Sequence, residues 1–202
     1  MLRTGIVGDE KLAVKSRNVA GSTVGKHLRH VLDHFRLLLD ALDEHSANSS
    51  GGTASSSSSS SSSTSEQGLP IVDYDRRSRS LPIETSASEA LAEFERTQHR
   101  ISSLLDSPDG TALDRPLILR ATTPILQEFH STLGREVWFI ALHSIHHFAL
   151  ARVILNELGV EESISKEFGV APSTLVFREW SKAQKSDDQA RVSQSGGERS
   201  KL

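Results

Sequence analysis

The stretch STLGREVWFIALHSIHHFALARVILNEL, residues 131–158, decides the fold. It predicts one long helix, with Ser131 as N-cap and Gly159 as the natural residue just past its end. Val137, Trp138, Phe139, Ile140, Leu142, Ile145, Phe148, Leu150, Val153, Ile154 and Leu155 cover nearly its whole circumference. A helix apolar all round is expected to be the buried one. One polar stripe interrupts it. His143 and His147 stand at i and i+4, about 40° apart in projection, and Glu136 lies about 20° from each. That histidine spacing lets one helix offer two imidazoles to one metal ion, as in sites built inside bundles. Glu136 is about 10 Å from His143 along the axis at 1.5 Å per residue. It is therefore too distant to ligate with the pair, and is either a group behind the ligands or a salt-bridge partner for an arginine of the 76–79 segment.

A second helix of the same kind begins at Ser22 or Thr23, either of which serves as N-cap, and runs to about His45. Val24, Leu28, Val31, Phe35, Leu38, Leu39 and Leu42 make its apolar face, with Asp33, Arg36, Asp40 and Asp43 mostly turned away. It also carries His27, His30 and His34. Positions i, i+3 and i+7 share one side of a helix, within about 60°. A third helix is predicted from a capping-box pattern at Ser86 and Glu89 to about Leu105. The segments 116–119 and 122–126 read as short extended pieces, with Pro124 arguing against a central strand.

The remaining sequence divides the chain. Residues 1–21 have no helical period and are expected to be loop or frayed helix. Residues 46–68, with an unbroken serine run from Ser55 to Ser63, and 181–202 are expected to be disordered, because they hold too little apolar surface to offset ordering entropy. The folded unit is thus expected at 22–180. Of the 202 residues, 36% are hydrophobic, and the net charge is −3 with histidines neutral. No overall basic field points to nucleic acid. The reading finds no apolar run of membrane-spanning length and no secretory leader, so a cytoplasmic protein is the default expectation and no membrane partner is expected. With no cysteine, thiolate ligands and nucleophiles are excluded. Nitrogen ligands then favour zinc, nickel or iron over calcium.

Nine histidines are present; His27, His30 and His34 cluster in one of these helices and His143, His146 and His147 in the other. Each is open to two readings, a hydrogen-bonded core residue or a metal ligand; clustering on two amphipathic helices brings the second level with the first. A third ligand from the first helix would complete a three-histidine set with one open position.

At these residues the chain resembles the DinB-like superfamily of four-helix bundles. Thr23-Val24-Gly25-Lys26-His27-Leu28-Arg29-His30 fits its first histidine motif, and His143-Ser144-Ile145-His146-His147 fits its His-x-x-His-His motif. The blocks Val72-Asp73-Tyr74-Asp75-Arg76-Arg77, Ser131-Thr132-Leu133-Gly134-Arg135-Glu136 and Phe168-Gly169-Val170-Ala171-Pro172-Ser173-Thr174 look like one branch of that superfamily. The resemblance implies an all-α, up-down bundle and places the metal ligands on His30, His143 and His147, with His27, His34 and His146 as neighbours. It covers roughly Ser22 to Thr174 apart from the serine-rich insert. The superfamily starts with a helix that residues 1–21 do not resemble, so this chain is read as lacking that wall. It also includes thiol-dependent transferases and sulfoxide-synthase domains. The His-x-x-x-His-x-Glu motif of the latter fails here, because Phe148 and Ala149 follow His147.

Two classes of function follow. One is a metal-dependent hydrolase or thiol transferase acting on a small molecule. In it His34, His146 and Glu136 stand near the metal or substrate, and Arg76, Arg77 and Arg79 orient a carboxylate. These arginines read equally well as surface partners of Asp73, Asp75 and Glu84. The other class is a non-catalytic metal-binding or interaction module with a vestigial site. A homodimer is compatible with either.

Overall fold

The computed structural model describes residues 1–50, 68–76, 81–106 and 111–197. Its elements run α1 (Asp9–Leu12), α2 (Val24–Ser50), β1 (Ile71–Val72), α3 (Ala87–Leu105), β2 (Pro116–Ala121), β3 (Gln127–Thr132), α4 (Leu133–Glu157) and α5 (Pro172–Gly197). Short 3-10 turns lie at Pro82–Glu84, Thr111–Asp114 and Glu161–Ser163.

The frame is an antiparallel pair of helices. Near the start of α2, Val24 and Leu28 pack with Ile154 and Leu155 of α4. Further along, Leu38 and Leu42 pack with Leu133 and Ile140, together with Val72 of β1 and Leu117 of β2. Each fully buried Leu or Ile side chain contributes about 1.5–3 kcal/mol, so these two clusters fix the helix register at both ends. A third cluster sets Leu32 against Ile83 and Ala90, bringing α3 onto another side of α2. Because α2 is contacted from several sides, its polar face is not simply solvated. Asp33 is buried and accepts from Arg29 at 2.6 Å and Arg36 at 3.1 Å. Arg29 reaches on to Glu84 at 2.5 Å. This corrects the expectation that Asp33 faces away from the packed side.

The helix ends follow local chemistry. Ser86 Oγ accepts from the Glu89 backbone N–H, so the capping box opens α3 as expected. For α4 the cap is Thr132, not Ser131: Thr132 Oγ1 accepts from the Arg135 N–H. Gly159, with φ of 70°, ends α4, and the Val160 N–H returns to the Leu155 carbonyl in a Schellman closure.

Several features depart from the sequence reading. The fold is mostly helical but not all-α. A three-stranded sheet in the order β1-β2-β3 pairs β1 parallel to β2, and β2 antiparallel to β3 from Pro116↔Thr132 to Ala121↔Gln127. Strand β3, QEFHST, has no apolar period because almost all of it is exposed; its pairing with β2 makes it a strand. Pro124 falls in the connection between them. Residues 1–21 hold one four-residue helix in place of a bundle wall, yet Val7 and Leu12 are fully buried. Glu157 anchors the segment by accepting from Ser16 Oγ and from the Arg17 and Asn18 N–H groups. Helix α2 runs five residues into the expected insert, whose positions 51–67 lie outside the described residues. The tail expected to lack structure from 181 is helical to Gly197 within α5, which opens with Pro172 at a position suited to proline; residues 198–202 lie outside the described residues.

Helix α4 is the largest correction. It turns its polar stripe toward α2 and leaves Trp138, Leu142 and Val153 exposed, Trp138 at 65%. It is long and apolar enough to cross a membrane by length and composition, although the sequence reading finds no such stretch, and 22% of its most apolar window is buried.

Gly25 ties sequence to packing. A Cβ there would stand 1.9 Å from the Glu84 carbonyl oxygen, so only glycine admits the 82–84 turn this close to α2. Alanine normally improves a helix interior by about 1 kcal/mol, while overpacking costs about 1–3 kcal/mol. The blocking atom is backbone and cannot rotate away, so the clash wins. Gly25→Ala is expected to lower the urea midpoint by a net loss of about 1 kcal/mol or more. A midpoint unchanged or raised would refute this contact.

Candidate metal centre

Between the two apolar clusters the facing surfaces of α2 and α4 are lined with imidazoles. His30 Nε2 lies 2.8 Å from His143 Nε2, which lies 3.1 Å from His147 Nε2. One nitrogen from each of these three residues lies within 4.8 Å of the other two. A neutral imidazole has one N–H, so three Nε2 atoms gathered this closely cannot all satisfy one another as donors and acceptors. A cation among them resolves the conflict. Ligands at about 2.0–2.1 Å in a tetrahedral site stand about 3.3 Å apart, close to the two contacts of 2.8 and 3.1 Å seen here. The residues fit a divalent ion held by nitrogen.

The neighbours are ordered. His34 is buried, donates from Nδ1 to the His30 carbonyl, and has its ring 4.5 Å from that of His143. Tyr74 stacks on His34 at 5.1 Å with an interplanar angle of 14°, and Phe139 stacks on His143 at 5.8 Å. Tyr74 also donates to Glu136 Oε2 at 3.0 Å. Burial, reinforced by the Glu136 carboxylate, raises the Tyr74 pKa, so this phenol stays a donor. Glu136 is fully buried and also accepts from Ser131 Oγ at 2.5 Å and Arg135 at 2.8 Å. Ser131 is thus engaged with Glu136, which leaves the cap to Thr132.

On the far side of the triangle, His27 Nδ1 lies 2.8 Å from His147 Nδ1, and Ser22 Oγ lies 2.8 Å from His27 Nε2. Thr23 Oγ1 accepts from the Lys26 N–H, so of the two candidate caps Thr23 caps α2 and Ser22 meets the histidine. His146 is exposed, its ring 5.0 Å from that of His147.

The structure therefore brings together His30, His143 and His147, with His27, His34 and His146 around them. Among the described residues the salt bridge of Glu136 is with Arg135. Arg76 is exposed and lines a surface groove with Arg36, Asp40, Asp73 and Arg120, where no histidine is found among the described residues. Arg77 and Arg79 lie outside the described residues. Tyr74 is the functional neighbour the sequence reading missed. It lies in the turn just past β1 and packs against the same cluster as Val72, a placement that no periodicity in the sequence signals.

A fold of antiparallel helices with three converging histidines defines a class, and a family comparison agrees. The model of the DinB superfamily matches residues 7–151, and the chain belongs to that superfamily. Among curated proteins, FK506-binding protein 5 of Rhizopus delemar is similar, at 35% identity over 114 residues. The match covers 53% of this chain and 27% of that protein, so the chain spans about a quarter of the relative's length. No solved structure matches the chain.

Burial holds His143 and His147 neutral. Desolvation first, then the neighbouring histidines, lowers His143 to about 4 and His147 to about 3, and His27 is also lowered. Unfolded histidines titrate near about 6.5. Between that value and the folded values the unfolded chain binds more protons, so stability falls as pH falls through the window. For metal-free protein, the urea midpoint is expected to be level above pH about 7 and to decline between pH about 6.5 and 5, above the carboxylate range. A midpoint that stays flat or rises over that interval would contradict the arrangement.

Proposed function

We propose that His30, His143 and His147 together bind one divalent transition-metal ion, zinc, nickel or iron, and that the protein is a metal-dependent enzyme acting on a small molecule. The observation that carries this reading is the convergence of three Nε2 atoms from two helices. Three protein nitrogens leave a coordination position open, as catalytic sites of this kind do. When bound, the ion supplies Lewis acidity that lowers the pKa of a water or an external thiol. The chain has no cysteine of its own, so a thiol-transfer reaction would draw its thiol from a co-substrate; hydrolysis needs only water. Tyr74 and Phe139 wall the histidines with aromatic surface and keep His34 and His143 in fixed orientations.

A second reading is a non-catalytic metal-binding or interaction module. The exposed apolar residues on the outer side of α4 favour it, because isolated catalytic domains do not need such a face.

Metal analysis of untagged protein tests the first step. One equivalent is expected in the wild type and in His45→Ala and His99→Ala, which lie outside the cluster. Most of the metal should be lost in His30→Ala, His143→Ala and His147→Ala. Full stoichiometry in both His30→Ala and His147→Ala would overturn the site. Metal-loaded protein is then assayed against ester, amide and thiol-transfer substrates, with a chelated control. Metal binding without any metal-dependent turnover transfers the conclusion to the module reading.

A further inference from the structure

We propose that Ser22 and His27 form a positioning relay that fixes the tautomer of His147 and so directs its Nε2 lone pair at the metal. The proposal rests on the three-histidine reading and adds to it how one ligand is prepared.

The geometry is specific. His27 is buried, 6% exposed. Its two ring nitrogens are engaged at opposite ends, Nδ1 with His147 Nδ1 and Nε2 with Ser22 Oγ, each at 2.8 Å. The rings of His27 and His147 are 5.1 Å apart and tilted by 41°, an arrangement that aims nitrogen at nitrogen rather than stacking face on face. Two Nδ1 atoms at this distance share one proton, and its position sets everything downstream. If His27 holds it, His147 carries its own proton on Nε2, facing His143, and cannot ligate through that nitrogen. If His147 holds it, Nε2 is a lone pair facing His30 and His143. His27 then carries its proton on Nε2 and donates it to Ser22 Oγ. Only the second pattern is compatible with ligation.

Ligating histidines commonly donate their remaining N–H to an acceptor, which orients the ring and raises its basicity. That acceptor is often a carboxylate or a backbone carbonyl. The carboxylates on this helix are engaged elsewhere, Glu136 by Tyr74, Ser131 and Arg135, and Glu157 by Ser16, Arg17 and Asn18. Here a neutral imidazole takes the acceptor's place. Because a serine hydroxyl can either donate or accept, the relay can adopt both patterns, and ion binding selects one.

The test uses full-length protein and zinc alone, titrated in competition with a chromophoric chelator. A second readout is the visible spectrum of the cobalt(II) form, which reports ligand geometry independently of turnover. The variants are His27→Leu, which removes the acceptor; His27→Asn, whose Oδ1 replaces Nδ1 as an acceptor; and Ser22→Ala. Folding is checked by far-ultraviolet circular dichroism. His27→Leu is expected to weaken zinc binding about 10- to 100-fold at unchanged saturating stoichiometry and to alter the cobalt bands. His27→Asn should recover most of the affinity and the wild-type bands, and Ser22→Ala should show a smaller loss in the same direction. Wild-type affinity in His27→Leu, or a folded His27→Asn as weak as His27→Leu, overturns the relay and leaves the site standing. Absence of metal binding by the wild type overturns both.

Discussion

The antiparallel contact between α2 and α4 is the constraint on which everything else depends. Two apolar clusters, one around Leu28 and Leu155 and the other around Leu38 and Ile140, lock the pair at its ends. The stretch between them is filled by imidazoles instead of leucines. A histidine-lined middle would be costly in an unsupported helix pair, because half-buried rings need partners. The flanking clusters hold the helices in place, and the rings pair with one another, with Ser22 and with the His30 carbonyl. The sheet and α3 then brace α2 from its other sides, and the sheet segment delivers Tyr74 to the edge of the cluster.

Much of this was legible in the sequence because it depends on periodicity. The i, i+3, i+7 spacing of His27, His30 and His34 and the i, i+4 spacing of His143 and His147 each define a stripe, and a stripe survives any detail of tertiary packing. What the stripes could not say was which way α4 would turn. Apolar all round, it reads as a core helix; with few elements to cover it, one side must stay outside, and the polar stripe takes the inside because it faces its counterpart on α2. Strand β3 was hidden for a related reason. Its residues are mostly exposed and polar, and the information that makes it a strand lies in β2, not in itself.

The finer parts of the site depend on choices between chemically equivalent groups. Ser22 and Thr23 are both good caps, as are Ser131 and Thr132. In each pair the threonine takes the cap and the serine joins the site, Ser22 at His27 and Ser131 at Glu136. Nothing in spacing alone assigns these roles. Gly25 is different. Within the family-like motif it could pass for a weak helix residue, yet the Glu84 carbonyl explains it as a matter of distance.

His30 and His143 touch across 113 positions of chain. An ion shared by them would act as a cross-link closing a very large loop, made without any covalent bond and reversible on chelation. Closure entropy rises only with the logarithm of the enclosed length, about 0.6 kcal/mol for each doubling. The long serine run therefore sits where added length is thermodynamically cheap. The same staple would couple folding to metal supply, because an ion that binds only the folded chain raises its stability with every increase in free concentration. In such a molecule the melting temperature would serve as a gauge of the surrounding ion pool.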